Sequence, residues 1–267
     1  MFAYNINAMI VFIICTILCL ILLIFVITTT EWTVNLIREF VPSMQMFRHW
    51  NSTTKCFVTP HGDLIHLDPS DKVVCGMMRG GYEWEHFMQQ YIARYASRDT
   101  ISLDIGANIG VHAITMSKYS KHVIAFEPQP HVVELLRMNV GHLGNVEVQE
   151  MALGDTNTDV YLATAGNNVG NVCISQTRTA RKAIQVTLDS LDIGPDVIGF
   201  MKIDIEGYEP QMLKGAMKTI QKHHPVIVLE DKNNSRSLLE AIGYTSQRIS
   251  HHDYLLVWRQ DKKHESK

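Results

Sequence analysis

The chain has 267 residues, 46% of them hydrophobic and 19% charged, with a formal net charge of −3. That composition excludes disorder and collagen-like repeats, and the near-neutral charge gives no electrostatic case for a nucleic-acid partner. The length fits one domain with an appendage, and neither a repeat nor a low-complexity tract interrupts it.

The appendage is N-terminal. No charged residue precedes Glu31, and residues 8–27 are apolar throughout except for Thr16. As a helix at ~1.5 Å per residue they span ~30 Å, the hydrocarbon thickness of a bilayer. A cleaved signal peptide needs a basic leading segment, and residues 1–7 carry no Lys or Arg. An uncleaved, single-pass anchor in the lipid bilayer is therefore expected over residues 1–30. Arg38 and Arg48 favour a cytosolic C-terminal domain by the positive-inside rule. The sequons at Asn51-Ser52-Thr53 and Asn233-Asn234-Ser235 favour the opposite side, so sidedness stays open. Cys56, Cys75 and Cys173 leave an odd count outside the span and imply no disulfide framework.

Residues 31–78 read as a stalk and lead-in, 79–260 as the main domain and 261–267 as a polar tail. A helix is expected from Gly81, where Trp84, Phe87, Met88, Tyr91, Ile92 and Tyr95 recur at helical spacing. Glu83 and Glu85 read as solvated helix residues. Strands are expected over 101–105, 122–127 and 146–151, with helices after the first two. Residues 157–187, rich in Thr, Asn, Gly and Val, read as extended segments with turns. A fourth strand over 199–205, a helix over 209–222, a strand over 225–230 and a short helix over 235–242, capped by Ser235, follow. A hairpin of 244–249 and 254–258 closes the chain. This alternation predicts an α/β fold with a mostly parallel sheet, helices on both faces and an antiparallel pair at one edge. Ligands bind such sheets past the carboxyl ends of the strands.

The turn after the first strand is Asp104-Ile105-Gly106-Ala107-Asn108-Ile109-Gly110. Its Gly-x-x-x-Gly spacing is not the Gly-x-Gly-x-x-Gly of dinucleotide sites, and Asp104 would oppose a diphosphate at the helix start. A cationic, phosphate-free ligand suits it better. Glu127, about twenty residues on at the end of the second strand, suits the two hydroxyls of a ribose. The fourth strand alternates apolar and charged residues in Met201-Lys202-Ile203-Asp204-Ile205-Glu206-Gly207. A doubly covered strand is ordinarily apolar, so Lys202, Asp204 and Glu206 are expected to project together into the crevice. Asp204 and Glu206 could hold a hard divalent ion, but no third carboxylate is evident beside them and no metal is expected. His251, His252 and Asp253 read as a surface turn, and His223-His224 as the end of a helix.

Together these residues resemble the FkbM family of S-adenosylmethionine-dependent methyltransferases. The matching runs are Asp104–Gly110, Ala125-Phe126-Glu127-Pro128, Ala152-Leu153-Gly154-Asp155, Thr187-Leu188-Asp189-Ser190-Leu191 and Lys202-Ile203-Asp204-Ile205-Glu206-Gly207-Tyr208-Glu209, in that order; Tyr82-Glu83 resembles the family's lead-in. The resemblance implies a class I methyltransferase fold, Rossmann-like, with seven strands of which the last pair is reversed. It implies S-adenosyl-L-methionine as cofactor and a hydroxyl of a sugar, glycan or small molecule as acceptor. By that resemblance Asp104, Gly106, Ala107, Asn108 and Gly110 line the methionine end, Glu127 holds the ribose and Ala152 sits by the adenine. Lys202, Asp204 and Glu206 match the motif that meets the acceptor, a match that does not settle which of them does chemistry. A hydroxyl acceptor needs a proton-accepting base: Asp204 or Glu206 is the first choice and Glu230 the second, with Lys202 orienting the carboxylate or holding it ionised. A nicotinamide dehydrogenase is the rival enzyme reading. A membrane-tethered binding protein with a degenerate site is the rival from another class. Oligomeric state is not encoded.

Overall fold

The computed structural model describes residues 55–59, 62–67, 71, 74, 85–164, 172–175 and 181–259. The chain divides into two compact units, residues 1–50 with 58–63, and residues 51–57 with 64–267. The described part of the first is a turn in which the Asp63 N–H donates to Thr59 Oγ1 at 3.1 Å. The expected anchor at 8–27 lies outside the described residues, and among these no helix is long and apolar enough to cross a membrane.

In the larger unit the elements are β2 (Leu64–Leu67, after β1, Lys55–Val58), α1 (His86–Tyr95), β3 (Ile101–Ile105), α2 (Val111–Tyr119), β4 (His122–Phe126), α3 (Pro130–Val140), β5 (Val146–Gln149), β6 (Ala152–Leu153), β7 (Thr158–Thr164), β8 (Val172–Ser175) and β9 (Arg181–Val186). There follow β10 (Ile198–Ile203), α4 (Glu209–Lys214), α5 (Met217–His223), β11 (Val226–Glu230), α6 (Arg236–Ile242), β12 (Tyr244–Arg248) and β13 (Asp253–Trp258). The main sheet among the described residues has seven strands in the order β12-β13-β11-β10-β3-β4-β5. The strands from β11 to β5 run parallel, and β13 runs antiparallel to both β11 and β12. This is the expected α/β sheet with an antiparallel pair at one edge, but of the last two strands only β13 is reversed; β12 returns to the direction of β11.

Alternation along β3 explains its place at the centre. Ile101, Leu103 and Ile105 join Met201, Ile203, Ile227 and Leu229 in one core, while Ser102 and Asp104 leave by the other face. Ser102 there shares a 2.6 Å hydrogen bond with Ser120. β2, in the stretch read as stalk, is tied to α3: the His66 N–H donates to Asn139 Oδ1 at 2.6 Å, and Asn139 Nδ2 donates to the carbonyls of His66 and Ile109.

Three local expectations are revised. The third strand stops at Gln149, and Ala152–Leu153 crosses into a second sheet ordered β6-β9-β7-β8, so 157–187 supplies a small sheet with its own core of Ala152, Val160, Leu162 and Ala183. The helix expected over 209–222 breaks at Gly215, where a Cβ would lie 1.9 Å from the Gly154 carbonyl oxygen. Close packing of the two segments decides this, not helix propensity. Finally, Ser235 does not cap α6 with its side chain. Asp231 does, accepting from the Ser235 N–H and Oγ and, through Oδ2, from the Arg236 guanidinium.

Candidate active site

Past the carboxyl ends of β3, β4, β10 and β11 lies a cavity of about 320 Å³, walled by the 105–109 turn, Glu127, Ala152, Lys202, Asp204, Glu206, Glu230 and Lys232, with Leu162 and Ile174 of the second sheet. At one end the turn after β3 folds tightly. Gly106 and Asn108 have φ of 81° and 50°, and the N–H groups of Gly106 and Ala107 both donate to the Phe126 carbonyl. A Cβ on Gly106 would lie 1.8 Å from the Asp204 carbonyl oxygen. The turn and the end of β10 therefore touch backbone to backbone, which only glycine permits. Gly106→Ala combines a left-handed cost of ~1–2 kcal/mol with that overlap. It is expected to lower the melting temperature markedly, and an unchanged thermal midpoint in a calorimetric scan would contradict this packing.

Glu127 is buried at the cavity wall. Its Oε2 accepts from the Asn108 N–H at 3.1 Å and its Oε1 from the Gln129 N–H at 3.0 Å. Burial raises its carboxyl to about 7, against the pull of those hydrogen bonds. Ala107, Asn108 and Ala152 also line the cavity, as expected. Two expected residues do not. Gly110 packs α2 against α3, since a Cβ there would meet Leu136 at 2.6 Å. Asp104 is fully buried behind the wall, beside Lys202 across the β3–β10 pairing, and among the described residues neither of its oxygens is hydrogen-bonded. Burial pushes its carboxyl up, and the Lys202 ammonium opposes that shift.

At the other end sits a charged cluster. Lys202 is 3% exposed and donates to Asp204 Oδ2 at 3.1 Å. Burial and the surrounding carboxylates act oppositely on its ammonium, and the carboxylates win, holding it charged. Lys202 in turn holds the Asp204 carboxyl below its ordinary range despite burial. Glu206 does not continue the strand face. β10 ends at Ile203, Glu206 takes a φ of 54°, and its carboxylate meets Lys232 Nζ at 2.9 Å. Lys232 Nζ also meets Glu230 Oε2 at 3.0 Å. Burial, and then repulsion from Asp204, raise the Glu230 carboxyl to about 8. Oxygens of Asp204, Glu206 and Glu230 lie within 4.8 Å of one another, so Glu230, expected as the second-choice base, is also the third carboxylate that was not expected beside the other two. Glu209, buried at the start of α4, holds the intervening loop by accepting from the N–H groups of Ile205 and Gly207.

Glu85 and Lys232 also escaped sequence reasoning. Glu85 is not solvated: from a φ of 46° it reaches His112 Nε2 at 2.9 Å on the cavity wall. Its sequence signal was only an acid at a helix start. Lys232, two residues after a strand-end Glu, was the more legible of the two.

Residues 104–256 match the model of the methyltransferase FkbM domain. The chain belongs to the FkbM methyltransferase family. It is 29% identical over 157 residues to the hexuronic acid methyltransferase AglP of Haloferax volcanii; the match covers 55% of this chain and 64% of that protein, so the chain spans less than two thirds of its relative. Among solved structures it is similar to methyltransferase FkbM from Methylobacillus flagellatus KT, at 17% identity over 72% of this chain and 56% of that one, with a TM-score of 0.44. It is similar also to an rRNA methylase from Streptococcus thermophilus, at 14% identity over 64% of this chain and 92% of that one, with a TM-score of 0.41.

Proposed function

We propose that the protein transfers a methyl group from S-adenosylmethionine to a hydroxyl oxygen of a sugar or glycan. The observation that carries this reading is a single cavity with Glu127 at one end and the Lys202–Asp204–Glu230 cluster at the other. The cavity fits the cofactor. Glu85, Glu127 and Asp204 put carboxylates on its wall, which disfavours phosphate and favours a cation. Each Glu127 oxygen accepts one backbone N–H and keeps capacity for a ribose hydroxyl. When bound, the cofactor supplies a methyl group on a sulfonium, already a good leaving group.

The chain's residues then have two tasks. The cavity aligns the acceptor oxygen, an effect worth up to ~7–11 kcal/mol in favourable cases. The Asp204–Glu230 pair takes the hydroxyl proton as that oxygen attacks. Lys202 keeps Asp204 ionised. The pair titrates as one unit, with Glu230 the member whose carboxyl is raised, to about 8. The relative that acts on hexuronic acid supports a sugar acceptor, and uronic-acid glycans are the first fraction to test.

The deciding experiment incubates the full chain with methyl-labelled S-adenosylmethionine and fractionated glycans and lipids, followed by mass spectrometry. A hydroxyl methyl ether on a sugar is the expected product. Cofactor binding with no labelled product in any fraction would support the rival reading, a binding protein on the same fold. Residues 8–27 would hold the enzyme at a bilayer, and release from membranes by alkaline carbonate would overturn that placement.

Cofactor affinity is expected to depend on pH through Glu127. Ionised, it accepts from the ribose hydroxyls; protonated, it loses acceptor capacity. Affinity should therefore rise with pH towards a plateau above about 7. Below that value it should weaken by up to about tenfold per unit. Calorimetric titration of the wild type and Glu127→Gln across this range tests it, the variant being flat; parallel curves would remove Glu127 from the ribose.

A further inference from the structure

Three carboxylates, Asp204 and Glu206 just past the end of β10 and Glu230 at the end of β11, have oxygens within 4.8 Å of one another and form a ligand set suited to a hard divalent ion. An ammonium stands among them. Lys232 Nζ is 2.9 Å from Glu206 and 3.0 Å from Glu230, while Lys202 neutralises the third member, Asp204. Lys232 lines the cavity, with its side chain 37% exposed. Its loop is also clasped to the Glu206 turn by the Asn233 side chain, which donates to the Gly207 carbonyl at 3.2 Å.

We propose that Lys232 is a tethered cation that does the work of a divalent ion in this site, holding Glu206 and Glu230 together at the acceptor end so that the proton-accepting pair faces the acceptor hydroxyl. An ammonium has three N–H donors; among the described residues one is spent on Glu206, and Glu230 Oε2 is held as an ion-pair partner at 3.0 Å without a hydrogen bond. Donor capacity is left for an acceptor oxygen, such as a neighbouring hydroxyl on a sugar ring. Lys232 is thus a positioning residue for the reaction. This inference rests on the methyltransferase reading above.

The test uses the full chain and Mn²⁺ as probe, read by electron paramagnetic resonance. The wild type is expected to exclude the ion and to turn over in the presence of a chelator. Lys232→Ala vacates the position and should bind Mn²⁺ at least about tenfold more tightly, as an all-carboxylate set would. Its turnover on the acceptor found with labelled cofactor should fall by about 10–100-fold, with cofactor affinity unchanged. Mn²⁺ or methylammonium should restore part of it. Lys232→Met, which keeps the bulk of the side chain, should lose turnover without gaining the ion, and circular dichroism checks that it folds. The proposal is overturned if the wild type needs or binds Mn²⁺ here, if Lys232→Ala turns over normally, or if its loss is restored by neither cation. A wild type that binds no S-adenosylmethionine would instead overturn the methyltransferase reading, and the Mn²⁺ results do not depend on that outcome.

Discussion

An Asp204→Asn protein is expected to bind the cofactor only modestly more weakly, since Glu85 and Glu127 keep their carboxylates on the wall, and to turn over about 10²–10⁴-fold more slowly, the range for losing a positioned base. The substitution keeps the shape of the side chain and its capacity to accept from Lys202, 3.1 Å away, but removes the charge. Two consequences separate loss of the base from general damage. Repulsion from Asp204 helps raise Glu230, so its removal should move the rising limb of the pH–rate profile below about 8, while burial still holds it above the ordinary carboxyl range. Glu230→Gln should also slow turnover, and the double variant should be little worse than the poorer single one, because the two act as one unit. The measurements are kcat against pH with the acceptor recovered by labelling, and cofactor affinity by calorimetry. Full activity in Asp204→Asn with an unmoved profile would remove Asp204 from the chemistry.

What the sequence disclosed follows from what is local. The Gly106–Asn108 turn and Glu127 are read from one strand end and the next, and their spacing carries over directly because parallel strands bring successive carboxyl ends to one edge. The pairing of Lys202 with Asp204 is legible for the same reason: residues two apart on a strand share a face. Glu206 broke that rule, because β10 stops at Ile203 and a left-handed residue redirects the chain. Asp104 broke it differently. It belongs to the turn motif by sequence, but β3 is covered on that face, so the carboxylate is buried behind the wall. The partners of Glu85, Glu206 and Glu230 lie 27, 26 and 2 residues away. The longer separations are set by tertiary packing, and no periodicity encodes them. The second sheet escaped for a related reason: a two-residue strand, Ala152–Leu153, finds its partner in Gln185–Val186, a contact with no local signature.

Lys202→Met should be the most destabilising of these changes. The residue is 3% exposed, and its ammonium is the charge nearest to both Asp204, by a direct 3.1 Å contact, and Asp104, by register. Removing one partner of a buried ion pair leaves an uncompensated buried charge, ordinarily a cost of about 3–5 kcal/mol. The sign of its pH dependence tests the cause. In the wild type Lys202 holds the Asp204 carboxyl low, so this pair contributes stability above the ordinary carboxyl range that is lost as acid protonates Asp204. Without Lys202 the largest opposition to burial is gone, so Asp104 rises further above its unfolded value and Asp204 is expected to rise above its own. The folded variant then binds more protons than its unfolded chain, and its stability falls as pH rises. The difference in melting temperature between wild type and Lys202→Met should therefore be small near pH 4 and widen towards pH 8. A difference that stays constant over this range would mean that Lys202 acts through the packing of its methylenes and not through its charge, and the assignment of Asp204 as a carboxylate held ionised for catalysis would lose its physical basis.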